Sequence, residues 1–218
     1  PKAPQAEMLT RWAHETQFPR GEAVEFMRRT IRANPGEVTL FAIGPLTNVA
    51  LLFATDPEIP ALLKQFVIMG GDFRSPPENP WSNSRNEWNI YCDPHAAAMV
   101  FNSASPIRAI GLEVTTQVWL DAGSVRERFA PHALLQPVLD FAEVWFRDAH
   151  GRITFHDPLA AVTLFDDAVC TFDRGISTVE LADGIDHART YWQSDSTGRH
   201  EAAITVDPAR FFDSYFGA

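Results

Sequence analysis

The chain has 218 residues, of which 45% are hydrophobic and 11% aromatic, and this content predicts a folded domain and excludes a disordered chain. The formal net charge of −10 at pH 7 opposes binding to nucleic acid or to an anionic membrane surface. No apolar run approaches the roughly 18 residues of a membrane span. We therefore expect a cytoplasmic protein whose partner is a small neutral or cationic molecule or a metal cation.

The two cysteines, Cys92 and Cys170, lie far apart and form no CxxC pair. That pattern favours two buried thiols in a reducing compartment over a disulfide or a thiolate metal site. The chain opens with Pro1 and not with Met, and Pro1–Pro19 reads as the interior of a longer sequence. We expect residues 1–218 to form a single domain that is incomplete at its N-terminus.

Helices and buried strands alternate through the first half of the chain. Apolar residues on one helical face, followed by the breaker Asn34-Pro35-Gly36, predict a helix over Gly21–Ala33. The next predicted elements are a strand at Val38–Ile43, helices at Leu46–Ala54 and Ile59–Lys64, and a strand at Gln65–Met69 that turns at Gly70-Gly71.

The second half continues this alternation after a Pro-, Asn- and Ser-rich stretch, Phe73–Asn86. The predicted elements are a helix from Asp93-Pro94 to Asn102, a strand at Pro106–Gly111, a helix at Leu134–Ala149, a helix capped by His156-Asp157-Pro158, strands at Ile176–Leu181 and Ala202–Val206, and a terminal helix from Pro208. The pattern predicts an α/β fold with an open, mainly parallel sheet and helices on both faces.

Ligands of such sheets bind at the carboxyl ends of the strands. The loops that follow the predicted strands are Gly44–Asn48, Met69–Tyr91 and Gly111–Thr116. The middle loop is much longer than the usual few residues, which favours a functional or mobile segment. On the pattern alone, Met69 is better explained as the last core residue of its strand than as a ligand contact.

Glu87-Trp88-Asn89 lies where the long polar loop meets an apolar segment. If this piece is extended, the side chains of Glu87 and Asn89 point to the same side and can bind a vicinal diol. The alternative is a turn with solvated polar groups, in which Trp88 is a core or lid aromatic.

His156-Asp157 combines a proton-transfer group with a hard oxygen ligand at a helix start. Asp157 alone is as well explained by helix capping. Phosphate-binding GxGxxG and GxxxxGK[ST] loops, the GxSxG nucleophile elbow and the HExxH zinc motif are all missing from the sequence.

Five consecutive motifs at the predicted strand ends closely resemble the inosine-uridine-preferring nucleoside hydrolase family. They are Ala42-Ile43-Gly44-Pro45-Leu46-Thr47-Asn48-Val49-Ala50, Val67-Ile68-Met69-Gly70-Gly71, Glu87-Trp88-Asn89-Ile90-Tyr91-Cys92-Asp93-Pro94-His95-Ala96-Ala97, Gly111-Leu112-Glu113-Val114-Thr115-Thr116-Gln117-Val118 and His156-Asp157-Pro158-Leu159-Ala160. The resemblance extends from about Glu22 to the C-terminus. It implies a Rossmann-like fold without its first strands and the hydrolysis of ribonucleosides to ribose and free base, as in purine or pyrimidine salvage.

The resemblance also implies a calcium ion that binds the reacting water and the ribose hydroxyls. Thr47 matches a residue whose backbone carbonyl is a calcium ligand, and Asp157 matches a carboxylate ligand. The family's N-terminal DxDxxxDD cluster, which supplies further ligands and the general base, has no counterpart between Pro1 and Asp93. The implied calcium site of this chain is therefore incomplete.

For the substrate, the resemblance implies ribose contacts from Met69, Glu87 and Asn89. It implies that His156 assists departure of the base and that Trp88 forms an aromatic wall. For the 5′ hydroxyl the family uses an Asn in the long loop, and here two positions match equally well, Asn79 and Asn83.

The sequence leaves base preference open. The candidate contacts Trp119, Phe141, Trp145 and His150 are equally compatible with core packing. The resemblance implies a homodimer or homotetramer. The alternative to a hydrolase is a non-catalytic descendant of the fold that binds a ribosyl ligand or a protein partner.

Overall fold

The computed structural model describes residues 3–73, 87–147 and 151–217. The strands in these ranges are β1 Thr39–Ala42, β2 Gln65–Met69, β3 Arg108–Ile110, β4 Trp119–Asp121, β5 Arg152–Thr154, β6 Cys170–Val179, β7 Thr190–Ser194 and β8 His200–Val206. The helices are α1 Ala23–Ala33, α2 Thr47–Thr55, α3 Ile59–Leu62, α4 Trp88–Cys92, α5 Pro94–Phe101, α6 Leu112–Thr115, α7 Ala122–Phe129, α8 Gln136–Arg147, α9 His156–Val162 and α10 Pro208–Gly217.

The main sheet has six strands in the order β1-β2-β3-β8-β6-β7. Strands β1, β2, β3 and β8 run parallel to one another, whereas β6 pairs antiparallel with both β8 and β7. Strands β4 and β5 form a separate antiparallel pair. The predicted α/β fold with a mainly parallel sheet is confirmed.

Helices cover both faces of the sheet because its central strands are apolar on both sides. In β2, Phe66 and Ile68 belong to one buried cluster, while Val67 and Met69 belong to another. Successive strand residues point to opposite faces, so the sheet separates the two clusters.

Each cluster is completed by its own set of helices. The first contains buried residues of α1, α2, α3 and α5, and the second contains residues of α6, α7, α8, α9 and α10. Representative residues are Ile31, Leu52, Ile59 and Val100 in the first cluster and Phe129, Leu159 and Phe211 in the second. Most of the described helices therefore contribute to one of two cores.

The predicted boundaries agree best where an element is long or its strand is fully buried. Gln65–Met69 is found as predicted, and β6 begins earlier than the predicted Ile176–Leu181. Of the helices and strands given above, six were not predicted: α4, α6, α7 and strands β4, β5 and β7. These elements are short or half exposed, so they lack a clear apolar period.

Two local expectations were wrong. The segment after Glu87 is not extended: α4 begins at Trp88, and only Glu87 has an extended backbone, with φ −66° and ψ 138°. Asp157 is not the cap of α9, because Phe155 occupies that position and no side chain caps the helix. The carboxylate of Asp157 is thus not used to satisfy the helix N-terminus.

The two cysteines differ in environment. Cys170 is buried at the start of β6, whereas Cys92 is exposed at the end of α4, so the expectation of two buried thiols holds for one of them. Burial raises the pKa of the Cys170 thiol to about 12. Among the described residues, no helix has the length and apolar character needed to cross a membrane.

Candidate functional site

The loops after β2 and β3 meet at the carboxyl edge of the sheet. The Gly70 amide donates to the Ile110 carbonyl at 3.1 Å, and the Leu112 amide donates to the Gly71 carbonyl at 2.9 Å. Gly71 has a φ of +92°, and a Cβ at this position would lie 2.5 Å from the ring of Phe73. Only glycine fits this turn. The turn joins the two loops into one surface, formed by Gly70–Gly71 and Ile110–Leu112, which we call the floor.

The Glu87 carboxylate is buried on this floor, with 5% of the residue exposed. It accepts hydrogen bonds from the backbone amides of Asn89 at 2.9 Å, Ile90 at 3.1 Å and Gly71 at 3.2 Å. Glu87 therefore caps α4 and holds the β2 turn at the same time. The pKa of Glu87 is raised, mainly because the carboxylate is buried. The charge of nearby Asp157 also raises it, and the three amide hydrogen bonds partly oppose the shift.

Asn89 lies beside Glu87 and is also buried, with 9% of the residue exposed. Its Nδ2 donates to the Met69 carbonyl at 3.1 Å and lies 3.6 Å from Met69 Sδ. Three residues for which the family resemblance implied ribose contacts, Met69, Glu87 and Asn89, are thus brought together. A capped helix, not an extended segment, places Glu87 and Asn89 on the same side.

His156 and Asp157 open α9, which packs against β2. Burial lowers the pKa of His156 to about 4 and raises the pKa of Asp157. His156 Nδ1 lies 2.8 Å from the Thr115 hydroxyl. A neutral imidazole and a partly desolvated carboxylate are therefore adjacent at the edge of the floor.

Thr47 lies after β1, where it begins α2. Its hydroxyl donates to Asp93 Oδ2 at 2.6 Å, and Asp93 Oδ1 accepts from the Ala96 amide at 3.0 Å. These bonds lower the pKa of Asp93. The contact joins the starts of α2 and α5.

Trp88 is exposed on α4, with 68% of the residue accessible and Tyr91 6.4 Å away between ring centroids. It is therefore not a core residue. Asn79, Asn83 and His150 lie outside the described residues.

A cleft of about 810 Å³ opens beside His156. Its aromatic lining is Trp119, Phe141 and Trp145. The strand pair β4–β5 forms part of its wall, and the guanidinium of Arg152 lies 5.1 Å from the Trp119 ring centre. Three of the four candidate base contacts thus surround one cavity, a geometry that the sequence had left open between ligand contact and core.

Three polar residues near the site were not predicted from the sequence. Thr115 and Glu113 lie in α6, inside the Gly111–Thr116 loop that the strand pattern had marked. Glu113 Oε2 accepts from the Phe73 amide at 3.0 Å and so fixes the end of the β2 turn. Arg152 lacked any motif, and its alternation with Ile153 in a three-residue strand was too short to detect.

The Asp157 carboxylate and the Thr47 backbone carbonyl have the donor chemistry of calcium ligands, as the family resemblance implies. Asp157 is a hard oxygen donor, and no hydrogen bond to its carboxylate is found within the described ranges. A nearby cation would offset both the desolvation of Asp157 and its repulsion with Glu87. In the part of the chain that the structure describes, no group of three or more His, Cys, Asp and Glu side chains is arranged to hold a metal. The fit is therefore to part of a ligand set.

Comparison with known proteins places this geometry in a family. The profile of the inosine-uridine preferring nucleoside hydrolases matches residues 5–213. The chain belongs to this family. The match to the family covers both the floor at the carboxyl edge and the wall of the cleft.

Curated relatives in this family include plant and bacterial proteins. Uridine nucleosidase 1 of Arabidopsis thaliana is 34% identical over 164 residues, which is 72% of this chain and 48% of that protein. The pyrimidine-specific ribonucleoside hydrolase RihA of Shewanella woodyi is 34% identical over 202 residues, which is 88% of this chain and 64% of that protein. The chain spans about half the length of the plant uridine nucleosidases it matches.

Solved structures of family members share the fold. A plant nucleoside hydrolase, PpNRh1, superposes with a TM-score of 0.75 and 27% identity, covering 92% of this chain and 68% of that one. An inosine-uridine preferring nucleoside hydrolase from Bacillus anthracis superposes with a TM-score of 0.72 and 25% identity, covering 93% and 67%.

Proposed function

We propose that this chain forms part of a ribonucleoside hydrolase, which cleaves the N-glycosidic bond to give ribose and free base. The observation that carries the proposal is the placement of His156 and Asp157. His156 lines the aromatic cleft, and the next residue, Asp157, lies close enough to Glu87 to affect its pKa. The start of α9 therefore lies between the aromatic cleft, which suits a base, and the buried acidic floor, which suits a ribose.

In the proposed reaction, water adds its oxygen to C1′ and gives up one proton while the C1′–N bond breaks, so that the ribose gains a hydroxyl group and the base gains a proton. The bonding electron pair goes to the base, which takes up a proton. The transition state resembles a ribosyl cation, so the negative charge of Glu87 stabilises it from the floor. The capping amides hold the Glu87 carboxylate in place, so it needs no reorganisation as this charge develops.

His156 would assist departure of the base. As a neutral imidazole it donates a hydrogen bond from a ring N–H to the base as negative charge develops there, and assistance of this type contributes roughly 10² to 10⁴ in rate. Trp119, Phe141 and Trp145 would flank the base in the cleft. Asn89 would act beside Glu87 on the ribose side.

Asp157 and the Thr47 carbonyl would hold calcium, which supplies a bound water of lowered pKa when it is present. Further oxygen ligands would be needed, since calcium takes six to eight. Calcium bound there would change the titration of His156 and Asp157, because a cation changes the local charge.

The relatives named above favour a pyrimidine nucleoside, and we propose uridine as the first substrate to test. The decisive experiment follows release of free base from uridine, cytidine and inosine by chromatography, with calcium and with a chelator. The protein must first be verified by intact mass and by a native circular dichroism spectrum. We expect the protein of which this chain forms part to release base and the chelator to abolish that release.

The alternative, a protein that binds ribosyl ligands without cleaving them, predicts a different outcome. Calorimetry would then show saturable binding of uridine or ribose, while no base appears at any calcium concentration. Obtained with the protein of which this chain forms part, that result would overturn the hydrolase proposal.

A further inference from the structure

Two adjacent threonines at the end of α6, Thr115 and the C-cap residue Thr116, use their hydroxyls differently. The Thr116 hydroxyl donates to the Leu112 carbonyl four residues earlier, at 2.7 Å, which is the usual partner of a helical threonine. The Thr115 hydroxyl instead leaves its own helix and meets His156 Nδ1 at 2.8 Å. Thr115 is completely buried, so water does not compete for this bond.

Which of the two groups donates in the Thr115–His156 hydrogen bond follows from the other partners available to the Thr115 hydroxyl. Within the described residues, His156 Nδ1 is the one hydrogen-bond partner of the Thr115 hydroxyl. A buried hydroxyl proton without an acceptor costs about 1 to 3 kcal/mol, so Thr115 donates and Nδ1 accepts. In a neutral imidazole whose Nδ1 accepts, the ring proton resides on Nε2.

The backbone holds the same two segments in register. The Val118 amide donates to the Thr115 carbonyl at 3.1 Å, and the Phe155 amide donates to the Val118 carbonyl at 2.8 Å. Phe155 is itself buried among aromatic rings, including Phe129 and Phe211. The residue before His156 is thus fixed, and with Nδ1 directed at Thr115, Nε2 is the ring nitrogen left for the cleft that His156 lines.

We infer that Thr115 is a positioning residue: its hydroxyl keeps His156 in the Nε2–H tautomer and directs that N–H into the cleft, toward the departing base. The inference rests on the proposed function for the identity of the acceptor in the cleft. When the C1′–N bond breaks and its electron pair passes to the base, the Nε2–H hydrogen bond stabilises the charge that forms. The opposite tautomer would present a lone pair there and repel the base.

The test compares three single variants of the full chain. Thr115→Val keeps the side-chain shape and removes the hydroxyl, whereas Thr115→Ser keeps the hydroxyl and removes the methyl group. Thr116→Val is the matched control, because it removes the neighbouring hydroxyl, which donates to the Leu112 carbonyl and not to His156 Nδ1. Circular dichroism and thermal unfolding verify that each variant is folded.

The first readout is the tautomer itself. Long-range ¹H–¹⁵N NMR spectra distinguish Nδ1–H from Nε2–H, and the signals of His156 are assigned by their loss in His156→Gln. We expect Nε2–H in the wild-type chain, in Thr115→Ser and in Thr116→Val. Thr115→Val should show the Nδ1–H form in substantial amount. An unchanged Nε2–H pattern in Thr115→Val would overturn the inference.

The second readout is the division between kcat and KM. For uridine, Thr115→Val should lower kcat on the order of tenfold to a hundredfold, part of the range for acid–base assistance, while KM stays within about twofold. A nitrophenyl riboside, whose phenolate leaves without such help, should lose less than about threefold. Thr115→Ser should retain most of the wild-type rate.

Equal losses with both substrates, or a Thr115→Ser variant as slow as Thr115→Val, would show a packing role and refute positioning. If the protein of which this chain forms part releases no base at all, the proposed function fails, and the NMR comparison alone then decides whether Thr115 sets the tautomer.

Discussion

Asp157 is a carboxylate that the fold withdraws from water without using it as a helix cap. The proposed role as a calcium ligand makes a direct prediction about stability. A ligand that binds only the folded state stabilises it by about 2.7 kcal/mol when its concentration is a hundred times the dissociation constant. Calcium should therefore raise the unfolding temperature of the wild-type chain and should raise that of Asp157→Asn much less.

Asp186→Asn supplies the control for this measurement. Asp186 is a partly exposed carboxylate that pairs with Arg189 at 3.2 Å, so the same change of charge is made at a residue that is not proposed to bind calcium. Its response to calcium in differential scanning fluorimetry should match the wild type. Equal calcium shifts in all three proteins would contradict the assignment of Asp157.

His200 gives a second prediction at the level of one residue. It is buried between the Ile107 amide, which donates to Nδ1 at 3.2 Å, and the Phe101 carbonyl, which lies 2.8 Å from Nε2. Burial lowers its pKa below the usual 6.5. The unfolded chain therefore binds a proton that the folded chain rejects, and stability is present above pH 6.5 and declines as pH falls below it.

Urea unfolding at pH 7.0, 6.0 and 5.0 measures this loss. One histidine contributes at most about 1.4 kcal/mol per pH unit in this window. His200→Gln should be less stable at pH 7 but should lose less stability on acidification than the wild type. A variant whose pH dependence parallels that of the wild type would rule out His200 as a source of acid sensitivity.

At the scale of elements, the β4–β5 pair turns an aromatic side chain toward the cleft. Trp119 on β4 is 43% exposed and carries the Arg152 guanidinium 5.1 Å from its ring centre. Stacking of a base on an aromatic side chain is worth roughly 1 to 3 kcal/mol. Under the proposed function, Trp119→Ala should raise KM for uridine fivefold or more, on the order of that stacking energy.

Tyr191→Ala is a matched control on another strand. Tyr191 is 40% exposed and carries the Arg189 guanidinium 5.4 Å from its ring centre, but it does not line the cleft. Steady-state kinetics should show no change in KM for this variant. If both alanine variants behave alike, the cleft wall is not a base contact.

Some of these elements could be predicted from the sequence and others could not. The buried strands could be predicted because continuous apolar runs such as Gln65–Met69 end at glycine turns. The β4–β5 pair could not, since three residues are too few to display an alternation. The position of Glu87 was found, but its capping of α4 depends on the turn at Gly71, which is distant in sequence. Thr115 is one of two identical neighbours, and only tertiary contact distinguishes them.

For the whole molecule, the sheet divides the interior into two cores. Ile59 belongs to the first cluster and Ile110 to the second, and both are fully buried. Ile→Val substitutions in a core cost about 0.5 to 1.5 kcal/mol each. Because the two sites share no cluster, the double variant Ile59→Val/Ile110→Val should lose the sum of the two single losses within about 0.5 kcal/mol.

Equilibrium urea unfolding of the two single variants and the double variant tests this additivity. Ile68→Val combined with Ile59→Val is the comparison within one cluster, where coupling is allowed. Coupling across the sheet of more than about 1 kcal/mol would mean that the cores respond as one packed unit.

Because Cys92 is exposed and Cys170 is buried, the reaction of the two thiols with a reagent can report when the sheet opens. A thiol reagent should modify Cys92 rapidly in the native protein, because that side chain is exposed. Cys170 is shielded at the start of the longest strand and has a pKa raised to about 12, so it can react only when β6 separates from its neighbours. Mass spectrometry of the second labelling event would therefore time the loosening of the sheet, with and without calcium or nucleoside, and needs no engineered reporter.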